Sequence, residues 1–231
     1  MSQIPDEWRV KRERRNPDGS LNLIDPEALA VGDLAHQLMW GYFSYLAAMT
    51  VAADPRAVAL VPKTKPGKLV PEGVVRGKDG HEGSFHFEHY LNAVRTDPFV
   101  QDQFSRVYIA GALITLGDAL SRHRYFNHQP ELELLYYVRN GVAHGNRFNI
   151  DAQGERRLLR YPAHNAVAIA RVPTSPPFEI AKGLHGSTVL FEFMEAGDAV
   201  NLLSSVGSYC RELAYGTVGY RDAQLQMSGE N

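Results

Sequence analysis

The sequence predicts a mainly α-helical protein, an antiparallel helical bundle with a small β insertion over residues 151–194 before its last helix. Three observations carry this. At Asp25-Pro26 and again at Asp97-Pro98 a capping aspartate and a proline are followed by a long stretch with apolar residues at steps of three and four. A third apolar run opens at Pro130-Glu131 and closes at Gly145-Asn146. After that point the character changes to turn residues and short apolar runs.

Taken in order, residues 1–24 read as a basic arm, with Arg9, Lys11, Arg12, Arg14 and Arg15 ahead of the turn-like Asn16-Pro17-Asp18-Gly19. Residues 25–216 read as one domain. The first helix opens with Asp25 as cap, Pro26 in its first position and Glu27 complementing the dipole. Val31, Leu34, Leu38, Tyr42, Tyr45 and Met49 give it one apolar face, and Asp54-Pro55 ends it. Residues 54–83 carry four prolines and five glycines among Lys63, Lys65, Lys68, Arg76 and Lys78, a long basic loop with a short hairpin around Leu69–Val75. A short helix is expected over 85–94.

A second long helix is expected from 98 to about 122, with Val100, Phe104, Val107, Tyr108, Gly111, Ile114 and Leu120 inward. The third helix buries Leu134, Leu135, Val138 and Val142, and Gly145-Asn146 is a left-handed stop. Arg157–Tyr161, Ala166–Val172 and Ser187–Met194 read as strands, Gly197-Asp198 starts the final helix and residues 217–231 read as a tail.

Composition narrows the classes. The 231 residues are 44% apolar and 22% charged, ordinary for a globular protein, with a formal net charge of −2. Nucleic-acid binding must therefore come from a local patch rather than bulk charge. One cysteine excludes a disulfide framework within the chain and a cysteine-rich zinc cage. The apolar stretch Leu29–Ala53 is interrupted by Asp33, His36 and Gln37, and the N-terminus lacks an apolar signal core. The expectation is a cytoplasmic protein without a membrane span. Neither a phosphate-binding glycine loop nor Gly-x-Ser-x-Gly occurs.

The segment with chemical content is Arg139-Asn140-Gly141-Val142-Ala143-His144, at the end of the apolar run Leu134–Val138. Asn140 and His144 are four apart and share a helix face. Arg139 sits about 140° round from His144 on a regular helix, within reach of the same cleft. Histidine moves protons near neutral pH, arginine clamps a phosphate and neutralises its developing charge, and asparagine orients either. RNA supplies its own nucleophile in the 2′-hydroxyl, so positioning, one base and one cation suffice without a metal. Gly141 and Ala143 leave room for a ligand backbone or a twin helix. Singly, each residue also has a bland role: Arg139 as a partner of a carboxylate, Asn140-Gly141 as a helix stop, His144 as a cap favoured by the dipole.

The arginine, the polar residue after it, the short gap to histidine and the flanking Leu-Leu-Tyr-Tyr-Val and Ala-His-Gly resemble the signature of the HEPN superfamily. That resemblance implies an all-α bundle acting as a homodimer. In active members, paired motifs face each other and form a composite, metal-independent ribonuclease site, often within toxin–antitoxin or antiviral defence systems. It also implies roles for Arg139, Asn140 and His144 as catalytic residues, RNA as substrate, no cofactor, and a possible antitoxin or regulatory protein as partner. Other members have lost catalysis and bind nucleotide, RNA or protein, a reading to which the weakly acidic balance of this chain leans.

Candidate RNA contacts are Arg122, Arg124 and Arg147 near the motif, Tyr137 for base stacking with Tyr136 as its alternative, and Lys63, Lys65 and Lys68 in the basic loop. His81, Glu82, His86 and His89 form a cluster of possible metal ligands, but their spacing is not that of a helical zinc motif and no metal site is expected. Cys210, among apolar helix residues, reads as core.

Overall fold

The computed structural model describes residues 24–68, 72–168, 172 and 175–217. The expected basic arm before Ile24 and the tail after Thr217 lie outside the described residues. The fold is mainly helical with one small two-stranded antiparallel sheet. Six α-helices occur among the described residues: α1 (Pro26–Ala53), α2 (Phe87–Thr96), α3 (Pro98–Arg122), α4 (Pro130–Ala143), α5 (Ala152–Arg160) and α6 (Ala196–Ala214).

The chain divides into two compact units, one of residues 1–40 with 108–231 and one of residues 41–107, so that α1 and α3 each run through both. The first unit holds α4 at its centre. Leu132, Leu134, Leu135 and Val138 are fully buried, and so are the carboxylates Glu131 and Glu133, which makes α4 a helix buried on nearly every side along its first turns. Leu113, Leu116 and Leu120 of α3 and Leu203, Val206 and Cys210 of α6 complete this core. Helices α1 and α6 run antiparallel: the Asp25 N–H bonds to the Ala214 carbonyl, while further along α1 a Cβ at Gly32 would sit 3.0 Å from the Gly207 carbonyl. Glycine at Gly32 and Gly207 is what lets these two backbones approach.

Local signals explain most boundaries. Asp25 Oδ1 accepts from the N–H groups of Glu27 (3.0 Å) and Ala28 (3.2 Å). Asp97 Oδ1 accepts from Phe99 N–H at 2.9 Å. Gly145 and Asn146 adopt φ of +85° and +60°, ending α4 as expected. Glu195 and Asp198 form a capping box that starts α6 one residue before the expected Gly197.

The strand assignments in 151–194 are corrected. Arg157–Tyr161 belongs to α5 and the turn after it, because Asp151 Oδ1 caps a helix there by accepting from Gln153 N–H (3.0 Å) and Gly154 N–H (2.8 Å). Residues 166–168 form a turn in which Asn165 bonds to the Pro176 carbonyl and to Phe178 N–H; residues 169–171 lie outside the described ones. Ser187–Met194 makes only single bridges, Thr188 with Arg147 and Leu190 with Met194, around Phe191 at φ +73°. Its apolar residues are buried as a cap over the end of α4, not as a strand.

The true hairpin lies in the second unit: β1 (Glu72–Arg76) pairs with β2 (Glu82–His86), Val74 opposite Ser84, around Gly80 at φ +83°. Within 54–83, Pro55–Leu60 form a 3₁₀ turn and the residues from Glu72 onward belong to the hairpin, so the segment is not one loop; residues 69–71 lie outside the described ones. Helix α2 starts at Phe87, two residues later than expected, because His86 Nδ1 caps it, 3.1 Å from His89 N–H. In this unit α1 and α3 are joined by Tyr42 OH with Ser105 Oγ at 2.7 Å. Phe104, Val107 and Gly111, expected inward on α3, are exposed; the stripe that is buried on α3 is Ile109, Leu113, Leu116 and Leu120.

Candidate functional site

The end of α4 brings Asn140 and His144 to one wall of an open cleft of about 330 Å³. Tyr136 and Tyr137, a turn earlier on α4, line the same wall. The opposite wall is the start of α5 and the segment before it, with Asn149, Gln153, Gly154 and Arg157. His144 follows the last residue of α4, its N–H bonded to the carbonyls of Asn140 (3.1 Å) and Gly141 (3.2 Å), and its ring is exposed.

Arg139 lies beside this wall rather than on the cleft lining. Its Nη1 donates to Asn140 Oδ1 at 2.8 Å, and Nε (3.0 Å) and Nη2 donate to Asp118 Oδ1 on α3. Its aliphatic stem packs on Gly117, where a Cβ would fall 2.5 Å from Arg139 Cγ. Glycine at that position seats the arginine. The side chain is 25% exposed and its Asp118 partner 46%, so water and a ligand can compete for the pair.

Gly141 has a different use from the one expected. A Cβ there would lie 2.4 Å from Val189 Cγ2 and 3.2 Å from the Arg147 carbonyl, so its small size serves the chain's own packing and admits neither ligand nor twin helix. Asn146 completes this closure: its side-chain oxygen accepts from Leu190 N–H (2.8 Å) and its Nδ2 donates to the Leu190 carbonyl (3.1 Å).

Behind the cleft sits a buried charge cluster. Glu133, 0% exposed, takes two bonds from Arg157, both at 2.8 Å, and one from His128 at 2.6 Å. Arg157 stands 3.9 Å over the Tyr136 ring, and His128 stacks on Tyr161 at 4.1 Å. Burial works against the Arg157 charge, but the Glu133 carboxylate outweighs it and holds the guanidinium's pKa above its ordinary value. Tyr125, in a connection where Arg124, Tyr125, Phe126 and His128 are all left-handed, packs edge-on against Tyr136, and burial pushes its hydroxyl up to about 12. Burial also raises the Tyr137 hydroxyl, which donates to the Gly154 carbonyl at 2.8 Å and so ties α5 to α4.

The remaining candidates are dispersed. Tyr137 is 4% exposed, so the more open tyrosine of the pair is Tyr136. Arg122 and Arg124 are exposed at the end of α3, and Arg147 is exposed with Nη1 on the Gly186 carbonyl at 2.7 Å. Lys63, Lys65 and Lys68 belong to the second unit, all exposed, with Lys68 paired to Glu72. His81 pairs with Asp79 and His86 is a helix cap; no cluster of three potential metal ligands exists among the described residues. Cys210 is buried, and burial followed by the Glu131 carboxylate pushes its thiol well above the ordinary range. No described helix is long and apolar enough to cross a membrane.

Asn149, Gln153 and Arg157 were not singled out in the sequence. They carry no spacing signal, and only the fold of α5 onto α4 brings them to the cleft. No protein-family profile, curated protein or solved structure matches this chain.

Proposed function

We propose that the protein is a metal-independent endoribonuclease of the HEPN type, working as a homodimer in a toxin–antitoxin or antiviral defence setting. The observation that supports it is the grouping at the end of α4: an exposed His144 and Asn140 on the wall of an open cleft, with Arg139 bonded to Asn140 at 2.8 Å. His144 takes the proton of the 2′-hydroxyl as its oxygen attacks phosphorus. The bond from phosphorus to the 5′-oxygen breaks, and the His144 of the second copy returns a proton to that oxygen. Arg139 exchanges Asp118 for the scissile phosphate and neutralises the charge building on it. Asn140 keeps the guanidinium aimed. The products are a 2′,3′-cyclic phosphate and a 5′-hydroxyl.

The test is RNA cleavage in EDTA by the wild type, Arg139→Ala and His144→Ala, with product ends mapped. Cleavage by the wild type alone, leaving cyclic phosphates, is expected. Equal activity in all three preparations would overturn the assignment.

The Asp118–Arg139 pair favours a second reading, a non-catalytic HEPN-like dimer that binds nucleotide, RNA or a protein partner, because the guanidinium is already engaged in the free protein. Binding without cleavage, little changed in His144→Ala, is the outcome that would select it.

A further inference from the structure

We propose that the cleft between α4 and α5 is a base-recognition subsite, holding one nucleobase of an RNA strand beside His144 and reading its edge through Asn149 and Gln153. This rests on the ribonuclease reading for the identity of the strand, but not for the chemistry of the cleft.

Size comes first. About 330 Å³ is near the lower limit of small-molecule sites and suits a single nucleotide rather than a duplex.

Charge comes second. Two charged side chains line the cleft, Asp151 and Arg157. Asp151 uses Oδ1 to cap α5 through Gln153 N–H and Gly154 N–H and keeps its negative charge. Arg157 spends Nε and Nη2 on the buried Glu133. The guanidinium charge is balanced by Glu133 and the Asp151 charge is negative, so the cleft gives an anion little and a neutral, planar, hydrogen-bonding ring a good deal. His144 stands at the cleft too, with Arg139 one hydrogen bond away through Asn140, so cationic capacity collects beside the cleft and neutral capacity within it. A nucleotide has the same two halves.

Hydrogen-bonding capacity comes third. Asn149 and Gln153 are exposed, and neither side chain bonds to a described residue. Each offers an amide with donors and an acceptor, the groups that read base edges in single-stranded RNA. Tyr136 also lines the cleft, and the Arg157 guanidinium 3.9 Å over its ring holds it in place. The tie from Tyr137 to Gly154 and the two bonds from Arg157 to Glu133 fix α5 against α4, so the two walls are preorganised.

The experiment measures binding of the four ribonucleoside 3′-monophosphates to the full chain, with ribose 5-phosphate as the baseless control. At least one nucleotide is expected to bind tenfold or more tighter than the control. Asn149→Ala and Gln153→Ala, both at exposed positions, should each cut that advantage threefold or more. Asn149→Asp, which keeps the shape and removes the donors, should change the order of preference among the four bases. Equal binding of all four nucleotides and ribose 5-phosphate would overturn the subsite, and so would a full advantage retained in both alanine variants. The two readings fail separately. Base-dependent binding through Asn149 and Gln153 with no cleavage of any RNA would remove the ribonuclease and keep the subsite. Cleavage dependent on Arg139 and His144 without base-dependent binding would do the reverse.

Discussion

The two ends of α4 both carry polar side chains and treat them in opposite ways. At its start, Glu131 and Glu133 are 4% and 0% exposed. Glu131 accepts from Ser205 at 2.7 Å, and Glu133 is saturated by Arg157 and His128. At its end, Arg139 and Asn140 are half-buried and His144 is open to solvent. A buried carboxylate that keeps all its partners holds helices together and is unavailable for anything else. A polar group at a cleft, held on one side only, can change partners without unfolding the protein. One helix of 14 residues thus holds a structural end and the end that carries the proposed site.

Four substitutions test this division, with stability read from urea unfolding. Glu133→Ala should cost most, about 3–5 kcal/mol, because it strands the Arg157 charge and loosens α5. A loss below 1 kcal/mol would put Glu133 outside the structural end. Ser205→Ala should cost about 2 kcal/mol, since it removes a buried hydrogen bond to a carboxylate. Asp118→Ala breaks a half-exposed pair and should cost under about 1 kcal/mol, while releasing Arg139 and strengthening binding of an RNA oligonucleotide. Weaker binding would mean that Asp118 positions the guanidinium rather than competing for it. His144→Ala should leave stability within about 0.5 kcal/mol of the wild type and abolish cleavage. A large loss of stability there would make the histidine a structural cap and erase the contrast.

Much of the fold was legible because its signals are local. Asp25-Pro26, Asp97-Pro98, Pro130 and Gly145-Asn146 mark helix ends through their own backbone preferences, and each stands where it was read. Helix α5 was missed because no apolar stripe holds it: Leu159 is 83% exposed, and the helix is kept in place by Arg157 on Glu133 and by Gly154 under Tyr137. The Ser187–Met194 run reads as a strand because it is apolar, and it is apolar because it covers α4. The same divide runs through the candidate site. Arg139, Asn140 and His144 are neighbours along the chain and readable from spacing. Asn149, Gln153 and Arg157 reach the cleft through contacts that depend on a buried acid further up α4.

The closure of Asn146 on Leu190 and of Gly141 on Val189 has a bearing on the order of folding. Those partners lie 44 residues apart for the hydrogen bonds from Asn146, so the loop they close is long and costly in chain entropy before its contacts form. The upper turns of α4 can dock on α3 across a short connection, whereas its last turn must wait for the 186–190 segment to return. Mutations at Asn146 should therefore speed unfolding and leave the folding rate nearly untouched, giving φ-values near zero. The end of the helix that carries the proposed site is then expected to be the last part of it to be built and the first to be lost.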